Sequence, residues 1–460
     1  MSGYDKRETA DVVVVGASAG GLAAALLAAD QGARVVIAER TKTLGGSAVY
    51  EPEHVAACGT RFQRAAGVDD SVEKMMTDLI AETHHHLDLD LTRAVVAESA
   101  ALVEWLADRC GLAVSLVQES RGRGHTEPRL HAISEQGGAG FVAALAQLVD
   151  RHQRVRIRLG VEATALTVGP EGRVGGVDLA RVRRSDPPGL DGTVILACGG
   201  YAGADAVVQE HCPDVAGLPA LSCESATGAG LSLARSVGGR IEHLEAMAVT
   251  PLLAIPANLT VDTSLVSLGG VLVNQMGRRF VGETADPVTV ANAVRAQPGK
   301  LAYLLFDERT AHAAAARNPF LAHVILPKTA RRAPSLADLA RQLTLDLTGL
   351  TRTLDTLNAN VELGGDPFGR ELNGHRLEPP FYAIRVTGSR RRSLGGVAVD
   401  ASARVVRDDG TSIPGLYAVG GVIGGLGRGG AADELLGLAT LVALGTARLA
   451  VRDCRAAGVQ

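Results

Sequence analysis

Lysine is almost missing from this chain, which has five against 41 arginines in 460 residues. Such a skew follows coding composition as readily as function, so no single arginine cluster carries much weight by itself. A cationic surface is lacking too. The formal net charge is −4, which gives no general attraction for nucleic acid or for an anionic membrane. The six cysteines (58, 110, 198, 212, 223 and 454) include no C-x-x-C and no regular spacing. That pattern predicts scattered reduced thiols in a cytoplasmic protein. Internal repeats and long low-complexity linkers are also absent. One run, Val12–Ala29, is free of charge over 18 residues. Its glycines and small residues, the charges at Asp11 and Asp30, and the lack of a cleavage pattern argue against a membrane span or a signal peptide. Apolar material is plentiful at 46%, enough for large cores, and the length predicts two or three lobes at about 100–200 residues each.

The chain is organised around Asp11–Arg40, DVVVVGASAGGLAAALLAADQGARVVIAER. Val12–Val15 reads as a strand buried on both faces. Gly16-Ala17-Ser18-Ala19-Gly20-Gly21 then turns it into an Ala/Leu helix that Gly32 ends, and Arg34–Ala38 returns as a strand with Glu39 at its tip. This order is a βαβ dinucleotide fingerprint, in which small residues let the backbone approach a pyrophosphate at a helix N-terminus. Ser18 stands where the second glycine usually does. Glu39, 23 residues after Gly16, is placed to accept hydrogen bonds from an adenosine ribose and to repel a 2′-phosphate.

Leu44-Gly45-Gly46-Ser47 follows, as a glycine turn wrapping a long cofactor would. With that turn, and through Gly59-Thr60-Arg61-Phe62-Gln63 and Gly67-Val68-Asp69-Asp70-Ser71, the sequence resembles the flavoprotein subunits of fumarate reductase and succinate dehydrogenase. Tricarballylate dehydrogenase and the 3-ketosteroid dehydrogenases belong to the same wider circle. The resemblance covers nearly the whole chain and implies an α/β fold. A split Rossmann-like FAD-binding domain (1–240 and 374–460) would carry an inserted α+β capping domain (241–373). It implies FAD, held non-covalently because no attachment histidine matches. The cofactor-binding positions it implies are Gly16, Ser18, Ala19, Gly20, Gly21, Glu39, Arg40, Gly45, Gly46, Ser47, Gly59 and Thr60. Val161, Glu162 and Ala163 would lie along the adenine. Ala197, Gly199 and Gly200 of TVILACGG, Gly228 and Gly230 of ATGAG, and Gly420 and Gly421 of IPGLYAVGG would border the flavin. Gly437 and Leu438 fall in a helix, Leu435–Leu449, whose N-terminus would stabilise negative charge on the flavin's pyrimidine end.

Local pattern adds three expectations. Ser71–Asp108 reads as two helices. Gly270–Asn274 and Arg278–Val281, around Gln275-Met276-Gly277, read as a hairpin. His84-His85-His86 reads as a solvated helix end and not a metal site, because consecutive helical residues point in different directions.

The fumarate-reducing relatives surround their substrate with a His-Pro pair, an arginine acid and a His-Thr pair. Here those positions read Thr250-Pro251, Pro287 and Arg391-Arg392, and a Ser-Gly-Gly near the flavin becomes Glu51-Pro52-Glu53, with His54 next. Fumarate reduction is therefore not expected. The resemblance instead implies desaturation of a small cyclic or polycarboxylic substrate α,β to a carbonyl or carboxylate. A base would take the α-proton while the flavin accepts hydride from the β-carbon. Tyr382 of PPFYAI matches a tyrosine that ketone-oxidising relatives place near the carbonyl. Arg391, Arg392 and Arg428 would grip an anion bidentately, and His54 or Glu53 could supply the base. An ordinary solvated arginine run and a buried structural tyrosine are the plainer alternatives. The reverse reaction, enoate or enone reduction, and a non-catalytic flavin-bearing electron-transfer protein also remain. The partners expected are a small-molecule substrate and an unidentified electron acceptor, with no nucleic acid and no membrane.

Overall fold

The computed structural model describes every residue except 1–5, 51–53, 84–86, 119–123, 135, 181–186, 222–225, 317, 319, 364, 371–373, 427–436 and 457–460. His84–His86, Glu53 and Arg428 therefore lie outside the described residues. The chain forms two compact units, one of residues 1–212, 222–248 and 392–460, the other of residues 213–221 and 249–391.

The first unit is built on an eight-stranded sheet. Its centre is β1 (Glu8–Val15), followed by α1 (Ala19–Asp30) and β2 (Val35–Glu39). β1 pairs in parallel with β2 (Val12 opposite Val35) and with the strand Gly189–Leu196 (Val15 opposite Leu196). Val155–Leu159 extends the sheet beyond β2, and Ser412–Ala418 pairs with Gly189–Leu196 on the other side. The four valines of β1 are at most 5% exposed, as expected of a central strand covered on both faces. Because β1 has its two connections on opposite sides, the crevice at its C-terminal end is a topological switch point, where open α/β sheets bind ligands. α1 is buried on every side except at its last residue, so it is a core helix and not a membrane one. No helix among the described residues is long and apolar enough to cross a membrane.

Ser71–Asp108 contains three helices, Val72–Glu82, Leu89–Ala97 and Ser99–Asp108, where two were expected. The break falls at Glu98, whose carboxylate is held by Arg448 and Arg452 while the Ser99 hydroxyl accepts from the Cys58 N–H.

The second unit has a six-stranded sheet with Phe381–Ser393 flanked by Met247–Ala254 and Ala302–Asp307. Side chains alternate between two cores. Leu304, Phe306 and Ile384 enter one, and Tyr303, Leu305 and Ala383 enter the other, so this sheet too is covered on both faces. The expected hairpin at 270–281 is only a turn. Val271–Val273 pairs with Ala302–Asp307, and Arg278–Val281 is not a strand. The Asn274 side chain closes the turn by accepting from the Met276 and Arg278 N–H groups. Arg279 then leaves the sheet to pair with Glu283 and Asp366.

Candidate functional site

The turn after β1 is made of close backbone approaches. Gly16 has φ +102°, and a Cβ there would lie 2.6 Å from the Ala197 carbonyl oxygen. A Cβ on Gly21 would fall 2.2 Å from the Gly16 oxygen. Ser18 is the N-cap of α1, its hydroxyl accepting from the Gly21 N–H at 3.3 Å. The second glycine turn abuts the first, since the Gly45 N–H donates to the Ala17 carbonyl at 2.7 Å and Ser18 bridges to Gly45. Gly45 itself is closed off by Val142, whose Cγ1 would sit 2.4 Å from an added Cβ. No acidic side chain stands in the first turn of α1, so the positive end of the helix is left for an anion.

On the other side of the switch point, Ala197 continues the β1 pairing by donating to the Val15 carbonyl. The glycine pairs then meet. A Cβ added to Gly200 would come within 3.1 Å of the Gly421 oxygen, and one added to Gly421 within 3.5 Å of the Gly200 nitrogen. Gly200 also faces Ser393, whose hydroxyl accepts from the Tyr201 N–H at 3.2 Å. The Gly420 N–H donates to Thr446 of the last helix, Leu438–Ala456, and the Gly437 carbonyl before that helix accepts from Ala56. Ser18, Gly46, Ser47, Gly199, Gly200 and Gly421 keep exposed backbone or side chain along this path, while the elements behind them are buried. That is a cradle of small residues at the start of α1, where the first helical N–H groups have no intrahelical acceptor, and it suits a dinucleotide.

The adenosine end is equally local. The Glu39 carbonyl accepts from Val161 at 3.0 Å and the Thr41 carbonyl from Gly160 at 3.1 Å. This sets Val161, buried, with Glu162 exposed and Ala163 half-buried, beside the end of β2, where Arg40 is exposed. Other positions expected to touch the cofactor are covered by protein. Ala197, Gly228, Gly230 and Leu438 are buried, and Gly230 is required because a Cβ there would strike Val422 and Cys198.

Thr60, beside Gly59 at φ +66°, is 0% exposed. Its hydroxyl accepts from the Gln63 N–H in a capping box and lies 2.9 Å from His131 Nε2. The Arg129 carbonyl is 2.8 Å from His131 Nδ1. A carbonyl only accepts, so Nδ1 carries the hydrogen and Nε2 accepts from Thr60. Burial, only partly opposed by the backbone hydrogen bonds, pushes His131 down to about 4. The unfolded chain takes up this proton near pH 6.5, so stability contributed by the neutral ring is lost as pH falls from about 6.5 towards 4, by up to about 3 kcal/mol. His131→Gln is expected to be less stable than the parent at pH 7, with a gap that narrows as the pH is lowered to 4. Urea denaturation at several pH values checks this, and a pH-independent gap would mean that the ring does not titrate in that window.

The residues expected to perform chemistry are not all together. Tyr382 begins the strand Phe381–Ser393, half-buried, stacked on Phe306 at 5.5 Å, with its hydroxyl accepting from Arg332 Nε at 3.0 Å. Arg391 is nine residues further along the same continuous strand, which at ~3.3 Å per residue puts it about 30 Å away. Tyr382 and Arg391, both in the second unit, are therefore not neighbours along this strand. Arg390 is buried and its backbone exchanges hydrogen bonds with Pro219 and Leu221. Arg392, half-buried, is the neighbour of Ser393 and so stands in the unit that holds the glycine pairs. His54 is 7% exposed in the strand His54–Ala56, which the Gly437 carbonyl caps. Thr250 is buried and Pro287 opens a helix capped by Asp286.

The sequence profile of a family described as the FAD binding domain matches residues 11–432. NADH:fumarate oxidoreductase of Klebsiella pneumoniae is 30% identical over 423 residues, covering 91% of this chain and 45% of that protein. Urocanate reductase of Eggerthella lenta is 26% identical over 425 residues, covering 89% of this chain and 69% of that protein. The chain thus spans less than half the length of the first of these relatives. The open conformation of a flavocytochrome c3 fumarate reductase superposes with a TM-score of 0.84 at 24% identity, over 97% of this chain and 78% of that one, and shows the same fold.

Proposed function

This chain belongs to the FAD binding domain family, and from that premise we propose that it is a FAD-dependent oxidoreductase acting on a CH–CH bond α,β to a carbonyl or carboxylate. The observation that carries the reading is the cradle at the switch point, where two glycine turns and two glycine pairs lie beside a helix with no acidic residue in its first turn. Gly16–Gly21 and α1 would take the pyrophosphate, Glu39 the ribose, Val161–Ala163 the adenine side, and Gly199, Gly200 and Gly421 the flavin side. Bound FAD would supply the two-electron chemistry. FAD is held non-covalently in this reading, and a separate electron carrier completes the cycle. The Arg392 guanidinium holds a substrate carboxylate bidentately, each charged hydrogen bond contributing on the order of 1.5–3 kcal/mol. A small cyclic or polycarboxylic substrate fits that grip.

Pro287 stands where the reductases carry their arginine acid and has no ionisable side chain. Since one group serves as acid in reduction and as base in desaturation, another residue must move the proton in either direction. Reduction is favoured by the relatives, which are named as acting on fumarate and urocanate. One set of assays separates reduction from desaturation. Holoenzyme is mixed anaerobically with saturated keto acids, tricarboxylates or neutral ketones plus an oxidising dye, and with enoates plus a reduced viologen. Turnover in one direction assigns it, and Arg392→Ala is expected to lose tenfold or more in kcat/KM selectively on acids, about 1.4 kcal/mol. A yellow protein inert in both directions would leave electron transfer without catalysis. Acid precipitation of the same preparation is expected to release the flavin, and colour kept in the pellet would overturn the non-covalent assignment.

A further inference from the structure

The carboxylate of Glu39 is already occupied by the protein. Its Oε2 accepts from the Ala17 N–H at 2.7 Å, and its Oε1 accepts from the Thr41 N–H at 2.7 Å and lies 2.7 Å from the Thr41 hydroxyl. Glu39 is 8% exposed. A carboxylate offers about four lone-pair sites, so roughly one is left, on Oε2. Ala17 is the residue between Gly16 and Ser18, and its carbonyl accepts from Gly45 at 2.7 Å. One residue of the dinucleotide turn, Ala17, is thus held at its N–H by Glu39 and at its carbonyl by the second glycine turn, which fixes the two peptides on either side of it. The grip is anchored behind, since the carbonyls of Glu39 and Thr41 accept from Val161 and Gly160.

We propose that Glu39 and Thr41 form a latch that sets the dinucleotide turn in its binding shape before the cofactor arrives, and that Thr41 is thereby a positioning residue for FAD. This deepens the FAD reading of the same site and rests on it. A buried carboxylate tied by two backbone N–H groups and one hydroxyl holds one orientation, and a turn ordered in advance need not be ordered by the ligand. The Thr41 hydroxyl has a single proton with two acceptors at 2.7 Å, Glu39 Oε1 and the Thr43 carbonyl, so it tethers the residues after β2 to the latch as well. Glu39 then has a second duty besides the ribose: it shapes the turn in the absence of any nucleotide.

The variants are Thr41→Val, Thr41→Ser and Glu39→Gln, each measured for FAD affinity by flavin fluorescence quenching, for apoprotein melting temperature, and for amide exchange at Ala17 and Thr41 in the apoprotein. Thr41→Val is expected to bind FAD about five- to tenfold more weakly and to exchange the Ala17 amide faster, with Thr41→Ser restoring both. Glu39→Gln places an NH₂ where an N–H donor must be met, and is expected to raise Ala17 exchange and lower the apoprotein melting temperature before any FAD is added. Unchanged FAD affinity in Thr41→Val would overturn the positioning role even if stability fell. Unchanged apoprotein exchange in Glu39→Gln would reduce Glu39 to a ribose ligand and overturn the latch. If the parent protein binds no FAD, the cofactor reading fails, and the exchange data still judge the latch separately.

Discussion

Arg129→Ala is expected to destabilise the first unit by about 3–5 kcal/mol, the usual consequence of breaking a buried ion pair from one side. Arg129 has no exposed surface, and its Nε and Nη2 donate to the two Asp70 oxygens at 2.8 and 2.9 Å while Nη1 donates to Asp78. The Asp70 side chain is likewise 0% exposed, and Gln63 Nε2 and the Ser71 N–H also donate to it, at 2.9 and 3.0 Å. Burial pushes the Asp78 carboxyl up, but hydrogen bonds from Arg129 and Thr126 outweigh this and hold it below its ordinary range. Removing the guanidinium leaves Asp70 charged, buried and matched only by an amide and backbone. The double variant Arg129→Met/Asp70→Asn removes the fully buried Arg129–Asp70 pair, leaves Asp78 the Thr126 N–H and hydroxyl, and should recover much of the loss. Urea midpoints of the three proteins check this, and a single-variant loss under about 1 kcal/mol would mean that water reaches Asp70 in solution.

This triad is not legible in the sequence, and the reason is physical. Arg129 lies more than 50 residues beyond Asp70 and Asp78 along the chain, and nothing in a local window separates a buried charge from a solvated one. Glu39 shows the same limit at finer scale. Its spacing from Gly16 marks it as a ribose ligand, but its bond to Ala17 is tertiary and its bonds to Thr41, two residues on, leave no periodicity. The βαβ unit is legible because its information is local: four valines for a central strand, small residues where backbones touch, and an acid at the strand tip. The strand Phe381–Ser393 shows the opposite case. FYAIRVTGSRRRS reads as two separate signals, a tyrosine and an arginine run, because Gly388 and the polar residues hide the continuous 13-residue strand. Only its length reveals that Tyr382 and Arg391 are not neighbours along it. The hairpin expected at 270–281 does not form because its second arm, Arg278–Val281, is drawn off by the Arg279–Glu283 pair, one of the buried charges that local pattern cannot see.

Gly16→Ala is expected to abolish FAD binding, with affinity down at least about 100-fold, and to do so through backbone contact alone. The added methyl would lie 2.6 Å from both the Ala197 oxygen and the Cys198 Cα, inside van der Waals contact, and both are backbone atoms that cannot swing away. The neighbouring strands are fixed by their register, Val15 opposite both Ala38 and Leu196, so the turn itself must open. Opening it moves Ala17 off Glu39 and Gly45 and pulls Ser18 from its cap, which dissolves the anion site at the start of α1. A positive φ alone does not explain the effect, and Gly32 provides the control. Gly32 has φ +97° at the end of α1, with nothing within 4 Å of an added Cβ. Gly32→Ala therefore meets only the conformational term, about 1–2 kcal/mol, and should bind FAD as the parent does. Flavin fluorescence titration and urea midpoints of the two variants separate the terms. Equal FAD affinity in Gly16→Ala and the parent would remove the pyrophosphate from this turn, and with it the assignment of the crevice beside β1 as the cofactor site.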